Sequence, residues 1–340
     1  MKYIQLGKSG LVVSRLSMGT MLFGEGDFHG LKYTLDQQAA DELITKSMDA
    51  GINLFDTAAN YNDGVSEQML GKALGAKRKD VVISTKVAFR TGTPSFNAGV
   101  GYKHLIEICE RSLRNLGSDY IDIFMLHNED PITPVEETIK AMEHLQQQGK
   151  IRYAGISNWQ AWKTSMALQL QKDKGYSPFI AAQMHYSLLN RELDNEFLPM
   201  AQHHGLGLMI WSPLSSGFLT GKYTRDNPEP EGARLNSFDL GLFDRNWAYD
   251  VVDKVKEIAA NHNTTPIAVS MAWLLSKAYA STIIVGVSKL SQLQANLDGV
   301  GLVLTAEEIA ALDELTKPVV RYPKTFVNIQ DQILKEAKVF

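Results

Sequence analysis

The chain has 340 residues, and its 34 Lys and Arg against 38 Asp and Glu leave a formal net charge of −4. Because no basic block stands out, nucleic acid is not an expected partner. The single cysteine, Cys109, excludes an intrachain disulfide and a thiolate metal cluster. No run reaches the roughly 18 apolar residues of a membrane span, and MKYIQLGKSGLVVS lacks the apolar stretch of a signal peptide. We therefore expect a cytoplasmic protein without a membrane partner.

Eight short apolar runs alternate along the chain with longer segments of helical periodicity. The runs begin at Arg15, Ile52, Val81, Tyr120, Tyr153, Phe179, Gly207 and Thr282. Several segments between them, such as DQQAADELITKSMDAG from Asp36, end in glycine, which is the usual helix stop. Apolar strands that alternate with helices form parallel sheets. Eight such units predict an α/β fold, a (β/α)8 TIM barrel that forms one domain over residues 1–340.

An open, doubly wound sheet is the alternative fold. Its dinucleotide-binding form carries G-x-G-x-x-G after the first strand, whereas GEGDFHG, from Gly24, has the wrong spacing and starts no helical pattern. Four segments lie outside the plain repeat: an N-terminal β-hairpin with a Ser-Gly turn, long loops after the third and seventh strands, and a tail after Leu315. We expect the hairpin to close the barrel bottom and the long loops to bind ligands.

Polar residues end almost every apolar run. In chain order they are Gly19-Thr20, Asp56, Lys86, His127, Ser157-Asn158, Gln183, Trp211-Ser212 and Gly286-Val287-Ser288. Taken singly, each has an ordinary structural explanation, such as a helix cap or a core imidazole. Together they converge on the carboxyl-terminal mouth of the barrel, where an unpaired buried Lys or Asp is costly. The strand ends therefore predict a functional site.

The chemistry that these side chains suit is proton delivery to an oxygen. Tyr61 lies five residues after Asp56, and a phenol is a poor acid because its reference pKa is about 10. A neighbouring Lys86 ammonium would stabilise the phenolate and lower that pKa, while Asp56 would hold the lysine charged. His127 could orient a carbonyl as it becomes an alkoxide. No metal-ligand spacing is present, so the other half of the reaction should be a hydride donor.

These motifs resemble the aldo-keto reductase family, from LGKSGLVVSRLSMGT at Leu6 to about Val300. The most specific match is GINLFDTAANYNDGVSEQMLGKAL, around Asp56 and Tyr61. The other matches are Lys86 in ISTKV, His127 in YIDIFMLH, GISN from Gly155, Gln183 in AAQMHYSLLNR, WSPLSSGFLTGKY from Trp211 and VGVSKLSQLQAN from Val285. The chain is most similar to the branch that contains potassium-channel β-subunits and bacterial aldehyde reductases. The resemblance implies the barrel fold and the cofactor NADP(H).

The resemblance also implies roles for individual residues. Tyr61 would be the proton donor, assisted by Lys86 and Asp56, and His127 would orient the carbonyl. Ser157, Asn158 and Gln183 would hold the nicotinamide carboxamide, and Trp211 would stack on its ring. The cofactor site would be completed by Gly19, Thr20, Met21, Asp56, Ser212, Pro213, Leu214, Ser216, Gly217, Lys222, Arg234, Gly286, Ser288, Lys289, Gln292 and Asn296. Lys289 and Ser288, at the start of a predicted helix, would favour a 2′-phosphate and hence NADPH.

The sequence departs from the family pattern at two positions. Ala295 stands where the family commonly has a Glu that binds the adenine amino group, and Met21 stands where the channel branch often has Trp. His127 is often missing from channel β-subunits, so its presence favours an enzyme. The candidate substrate residues are Phe23, Phe28, Phe89, Arg90, Asn128 and Trp159.

Three functions are compatible with the sequence. The first is an NADPH-dependent reductase that converts an aldehyde or ketone to the alcohol. The mainly aromatic candidate pocket residues suit an apolar or aromatic carbonyl compound. The second is an NADP(H)-binding regulatory subunit with weak catalysis. The third is a class I aldolase-like enzyme in which Lys86 forms a Schiff base. We expect a monomer or a weak homo-oligomer.

Overall fold

The structure, a computed structural model, describes residues 1–28, 31–92, 97–231, 235, 239 and 241–338. Its strands in chain order are β1 (Tyr3–Gln5), β2 (Val12–Ser14), β3 (Leu16–Gly19), β4 (Gly24–Phe28), β5 (Leu31–Leu35), β6 (Leu54–Asp56), β7 (Val82–Val87), β8 (Ile121–Leu126), β9 (Ile151–Ser157), β10 (Ala181–His185), β11 (Gly207–Trp211) and β12 (Ala280–Gly286). The helices are α1 (Gln37–Asp49), α2 (Val65–Leu74), α3 (Tyr102–Leu116), α4 (Val135–Gln147), α5 (Ala161–Lys174), α6 (Phe197–His204), α7 (Arg245–Asn261), α8 (Pro266–Ser276), α9 (Leu290–Gly301), α10 (Ala306–Leu315) and α11 (Lys324–Glu336).

Strands β3 and β6 to β12 form a closed parallel barrel, and each overlaps one of the eight apolar runs. The order around the barrel follows the chain, and β12 pairs with β3 to close the ring. The predicted (β/α)8 barrel is confirmed, and the open doubly wound sheet is excluded because the sheet has no edge. Residues Gly24–Phe28, the first part of GEGDFHG, form a strand that pairs antiparallel with β5 instead of starting a helix.

The N-terminal hairpin of β1 and β2 closes the bottom of the barrel. Leu6 and Val13 pack with barrel residues such as Ile123 and Met209. Gly7 has a φ of +58°, and a Cβ added there would lie 2.4 Å from the carbonyl oxygen of Ile180. Only glycine fits this close approach without displacing backbone. The hairpin that the sequence predicts is therefore confirmed, and it is seated by backbone contact as well as by apolar packing.

Local signals explain where the helices begin and end. Asp36 caps α1, since its carboxylate accepts a hydrogen bond from Ala39 N at 2.8 Å. Gly117 ends α3 in the left-handed conformation. The helix α10, which ends at Leu315, and the helix α11, in the described part of the tail, were not among the predicted elements. Of the residues of α10 only Leu312 is buried, and α11 buries no residue although Phe326, Ile329 and Ile333 recur in it at helical spacing.

Candidate active site

The polar side chains at the strand ends meet at one mouth of the barrel. Asp56 ends β6, Lys86 lies near the end of β7, and His127 directly follows β8. All three are buried, and the exposed fraction of Lys86 is 0%. Neighbouring parallel strands bring their carboxyl ends together. Asp56 can therefore form hydrogen bonds both with Lys86, 30 positions away, and with Gln183, 127 positions away.

Lys86 is the centre of the hydrogen-bonded cluster. Its Nζ donates to Asp56 Oδ2 at 2.7 Å, to the carbonyl oxygen of Thr57 at 2.6 Å and to Tyr61 Oη at 3.3 Å. Burial alone would lower the pKa of Lys86, but the negative charge of Asp56 and the neighbouring Tyr61 outweigh it, so the pKa is raised. Gln183 Nε2 donates to Asp56 Oδ1 at 2.8 Å and orients the carboxylate. The ammonium is therefore held charged beside the phenol.

Tyr61 stands at the start of a tight turn. The next residues, Asn62 and Asp63, have φ of 45° and 48° inside the 3-10 segment Tyr61–Gly64. Non-glycine residues rarely adopt this left-handed conformation, and Asn and Asp are enriched among those that do. Arg111 Nη2, from α3, holds the turn by donating to Asp63 Oδ1 at 2.9 Å. No local pattern predicts this support, because Arg111 lies 48 residues away from Asp63 in the chain.

His127 lies against Tyr61 and Phe89 with its ring edge-on, at centroid distances of 5.8 Å and 4.7 Å. Burial, and then repulsion by the Lys86 charge, hold the pKa of His127 well below 6.5. The imidazole is neutral at neutral pH, so it carries one N–H donor and one acceptor nitrogen. Among the described residues, no group bonds its Nδ1.

Trp211 and Asn158 occupy the neighbouring strand ends. Trp211 Nε1 donates to Asn158 Oδ1 at 3.1 Å, and Asn158 Nδ2 donates to the His127 carbonyl oxygen and to Ser157 Oγ, both at 3.0 Å. The His185 ring lies 4.7 Å from the Trp211 ring. The sequence did not single out His185, although it stands only two residues after Gln183 in the same strand.

The remaining candidate residues differ in how they are placed. Phe23 is fully buried in the hydrophobic core and Trp159 packs on Phe179, so neither presents a surface to a substrate in this conformation. Phe89 and Arg90 are exposed, and Asn128 is half-buried. The side chain of Phe28 and the whole of Arg234 lie outside the described residues.

Gly19 and Thr20, at the end of the first barrel strand β3, make structural contacts within the protein. A Cβ at Gly19 would lie 2.8 Å from Ile284 Cγ2, so a larger residue there would displace the Ile284 side chain. The Thr20 hydroxyl is buried and shares a hydrogen bond with Ser66 Oγ at 2.8 Å. Met21 is half-buried beside them.

A chain with this barrel and this Asp, Lys, Tyr and His cluster at its mouth has the features of a known reductase class. The family model described as the Aldo/keto reductase family matches residues 15–317, and the chain belongs to that family.

Three relatives illustrate the range of the family around this chain. A Schizosaccharomyces pombe protein, provisionally named as a voltage-gated potassium channel subunit beta, is 36% identical over 91% of this chain and 92% of its own length. An Arabidopsis thaliana protein with a similar name is 35% identical over 95% and 98%. Another Schizosaccharomyces pombe protein, provisionally named as an aryl-alcohol dehydrogenase, is 30% identical over 92% and 95%.

The residues at the ends of β11 and β12 fit a nicotinamide dinucleotide. Asn296 Oδ1 is buried without a partner among the described residues, so it is ready to accept a hydrogen bond from a ligand. Lys289 occupies the N-cap position of α9, where its side chain makes no capping hydrogen bond, and it is exposed. Burial lowers the pKa of Lys222.

The segment after β11 turns sharply next to these groups. Ser212, Ser215, Ser216 and Gly217 have φ between 49° and 90°. Pro213 is buried there, whereas Leu214 is half-buried. At the neighbouring strand end, Ser288 N donates to Gln292 Oε1 at 2.8 Å, and Gly286 has open space around its α-carbon.

The described residues were also compared with the requirements of a membrane span and of a metal site. None of the described helices is long and apolar enough to cross a membrane. Within the same residues, His, Cys, Asp and Glu side chains do not gather in threes in a way that could hold a metal ion.

Proposed function

We propose that the protein is an NADP(H)-dependent oxidoreductase that reduces an aldehyde or ketone to the alcohol. The proposal rests on one observation, the contact of Lys86 Nζ with both Asp56 Oδ2 at 2.7 Å and Tyr61 Oη at 3.3 Å. A phenol is a weak acid at neutral pH, and an adjacent ammonium stabilises the phenolate that remains after proton transfer. The same cluster could take up a proton when the reaction runs toward the carbonyl compound.

In the proposed reaction, a bound reduced nicotinamide supplies the hydride that the carbonyl carbon accepts. Tyr61 Oη donates its proton to the carbonyl oxygen as negative charge develops there. Lys86 stabilises the resulting phenolate and is itself kept charged by Asp56. The neutral His127 offers a ring N–H that holds the carbonyl oxygen near Tyr61.

The charged state of Lys86 also weakens the aldolase alternative. A Schiff base requires a neutral amine, whereas the pKa of Lys86 is raised, with the carboxylate of Asp56 opposing the effect of burial. Borohydride trapping of a carbonyl substrate on Lys86 would support the aldolase instead.

We assign the cofactor to the strand ends from Ser157 to Asn296. The residues proposed to bind the nicotinamide are Ser157, Asn158, Gln183 and Trp211. Those proposed to bind the pyrophosphate are Ser212, Pro213, Leu214, Ser216, Gly217 and Lys222. Those proposed to bind the adenosine are Gly286, Ser288, Lys289, Gln292 and Asn296. Gly19, Thr20 and Met21 border the site, and Arg234 stays a prediction from the sequence.

The direct test of the reaction is Tyr61→Phe, compared with Tyr3→Phe on the hairpin at the opposite end of the barrel. General acid catalysis contributes about 10²–10⁴ in rate, so kcat should fall by a factor in that range while the NADPH dissociation constant stays within about threefold. The control should turn over like the wild type. If Tyr61→Phe turns over within a few-fold of the wild type on every good substrate, Tyr61 is not the acid.

The preference for NADPH is proposed to depend on Lys289. A charge-assisted hydrogen bond of about 1.5–3 kcal/mol corresponds to roughly ten- to a hundredfold in affinity. Dissociation constants of NADPH and NADH should be measured for the wild type, Lys289→Ala and Lys289→Arg. Equal affinities in the wild type would refute the preference. A preference that survives Lys289→Ala would move the role to Ser288, Gln292 or Arg234.

We propose an apolar or aromatic carbonyl compound as the substrate. Phe89 is 44% exposed and lies against the His127 ring, and one relative is provisionally named as an aryl-alcohol dehydrogenase. A panel of aromatic and aliphatic aldehydes, ketones and secondary alcohols, followed by NADPH absorbance, tests this choice. Faster turnover of short polar aldehydes would contradict it.

A regulatory subunit that binds NADP(H) and catalyses weakly is the second candidate, because two relatives are provisionally named as channel subunits. The same panel separates the two functions. Tight NADPH binding with no turnover of any carbonyl compound would favour the regulatory function.

A further inference from the structure

Glu67 is a buried carboxylate that the proposed reaction does not use. It is fully buried in the first turn of α2. Thr85 Oγ1 donates to its Oε1 at 2.6 Å, and Asn115 Nδ2 donates to its Oε2 at 2.9 Å. Burial raises the pKa of Glu67, and these two hydrogen bonds oppose that effect. A buried carboxyl group is costly unless it is hydrogen-bonded, and here each of its two oxygens has a donor.

Glu67 joins the two segments that carry the proton donor and its lysine. The 3-10 segment that begins with Tyr61 ends at Gly64, α2 starts at the next residue, and Glu67 is the third residue of that helix. Thr85 directly precedes Lys86 in β7. Because side chains alternate between the two faces of a strand, Lys86 points into the barrel mouth while Thr85 points outward to α2. The hydrogen bond from Thr85 to Glu67 therefore ties the helix that follows Tyr61 to the strand that carries Lys86.

The same two segments meet a second time inside the barrel mouth. Lys86 Nζ lies 3.3 Å from Tyr61 Oη, which is slightly longer than the range of about 2.7–3.2 Å that N–H···O hydrogen bonds usually have. A small shift of α2 away from β7 would take the ammonium out of reach of the phenol, and the attraction between opposite charges weakens with distance. The position of α2 against β7 therefore determines how strongly Lys86 stabilises the Tyr61 phenolate.

Helix α3 supports this junction from its other side. Arg111 Nη2 donates to Asp63 Oδ1 at 2.9 Å, just as Asn115 donates to Glu67. The two α3 residues are four positions apart and share one face of the helix. A Cβ added at Gly64 would lie 2.7 Å from Asn115 Nδ2 and 3.2 Å from Arg111 Nη2. The turn before α2 and the carboxylate of Glu67 are therefore held by the same face of α3.

We propose that Glu67 is a positioning residue for the proton donor: through Thr85 it holds α2 against β7 and so keeps Tyr61 beside the Lys86 ammonium. It is not a catalytic residue, because it acts from the outer face of β7 and through another side chain. This inference rests on the proposed function, because it concerns the same proton donor.

The pH profile of carbonyl reduction separates positioning from simple support of the fold. The pH dependence of kcat at saturating NADPH reports the pKa of the acid in the complex. It is measured for the wild type, Glu67→Met, Glu67→Gln, Thr85→Val and the double variant Glu67→Met with Thr85→Val. The matched control is Thr164→Val in α5, which also loses one buried hydroxyl, in this case a donor to the Gln160 carbonyl oxygen at 2.9 Å.

Glu67→Met and Thr85→Val should each raise the apparent pKa of the acid by about one unit and lower kcat at pH 7 by about tenfold. A neighbouring charge shifts a pKa by about 1–3 units, and the ammonium is only partly withdrawn. The double variant should match Glu67→Met within about twofold, because both changes remove the same hydrogen bond. Glu67→Gln keeps an oxygen that accepts from Thr85, so it should stay within about threefold of the wild type with the same pKa. The control should follow the wild type.

A purely structural role predicts a different result. Loss of folded protein lowers kcat by one factor at every pH and leaves the apparent pKa unchanged, and this outcome in Glu67→Met and Thr85→Val would overturn the inference. Effects of the two substitutions that add in the double variant would overturn it as well. Circular dichroism melts establish that each variant is folded, and if Glu67→Met does not fold, Thr85→Val, which only exchanges a hydroxyl for a methyl group, decides alone.

Failure of the proposed function has its own signature. A wild type that reduces no carbonyl compound, or a Tyr61→Phe variant with the activity and the pH profile of the wild type, would refute the proposed function. A wild type that depends on Tyr61 but whose profile is insensitive to Glu67 and Thr85 would refute only the positioning role.

Discussion

Replacing Lys86 with methionine tests whether the buried cluster is an ion pair. The side chain of Lys86 is 0% exposed and that of Asp56 is 4% exposed, and their charged atoms are 2.7 Å apart. Methionine fills a similar volume, but among the described residues it leaves the carboxylate of Asp56 with the Gln183 hydrogen bond at 2.8 Å alone. Removing one partner of a buried ion pair costs about 3–5 kcal/mol, so the free energy of unfolding should fall by about that amount.

The matched control is the double variant Asp56→Asn with Lys86→Met. It removes both charges, and replacing a whole buried pair is often close to neutral. The double variant should therefore recover at least about 2 kcal/mol of the loss in stability, while both variants lose carbonyl reduction by roughly 10² or more because the proton relay is absent.

Urea unfolding at pH 7, followed by circular dichroism and tryptophan fluorescence, provides the measurement. The cofactor is left out, because ligand binding would stabilise the folded state unequally among the variants. A loss below about 1 kcal/mol in Lys86→Met, or a double variant no more stable than the single one, would refute the buried ion pair.

Two further predictions concern stability. Gly7→Ala should destabilise the protein by about 1–3 kcal/mol, because φ is +58° and the new Cβ would lie 2.4 Å from the Ile180 carbonyl oxygen. The control is Gly10→Ala, whose new Cβ meets nothing within 4 Å. Equal melting temperatures of the two variants would contradict the close approach. Burial lowers the pKa of His185 from 6.5 to about 4, so the unfolded chain binds the proton first and stability is lost as the pH falls below about 6.5. Between pH 7 and pH 5 this loss is about 2 kcal/mol. The variant His185→Phe keeps a ring beside Trp211 but cannot bind a proton, so its free energy of unfolding in urea should fall by about 2 kcal/mol less between pH 7 and pH 5 than that of the wild type. An equal fall in both proteins would contradict the lowered pKa of His185.

The alternation of apolar runs and amphipathic segments was enough to predict the barrel. Each run of β3 and β6 to β12 is apolar because its strand is buried on both faces, a property that a short stretch of sequence carries by itself. The same pattern located Asp56, Lys86 and His127, because the point where an apolar run stops predicts the end of a strand. It missed α10 and α11, which follow the eight strand-helix units of the barrel. The apolar residues Phe326, Ile329 and Ile333 of α11 recur at helical spacing, but the helix buries no residue, so the barrel pattern does not require it.

The pairing of the polar groups was decided by the tertiary structure. Trp211 and Asn158 are 53 residues apart and Gln183 and Asp56 are 127 apart, and these partners meet only when the barrel has closed in one register. A strand's own pattern specifies which face is buried but not which residue of another strand will stand opposite. The sequence thus determined that Asn158 and Trp211 lie at the mouth. Only the closed barrel determined that the Asn158 amide binds the Trp211 indole, because a hydrogen bond depends on distances of about 3 Å that no local pattern encodes.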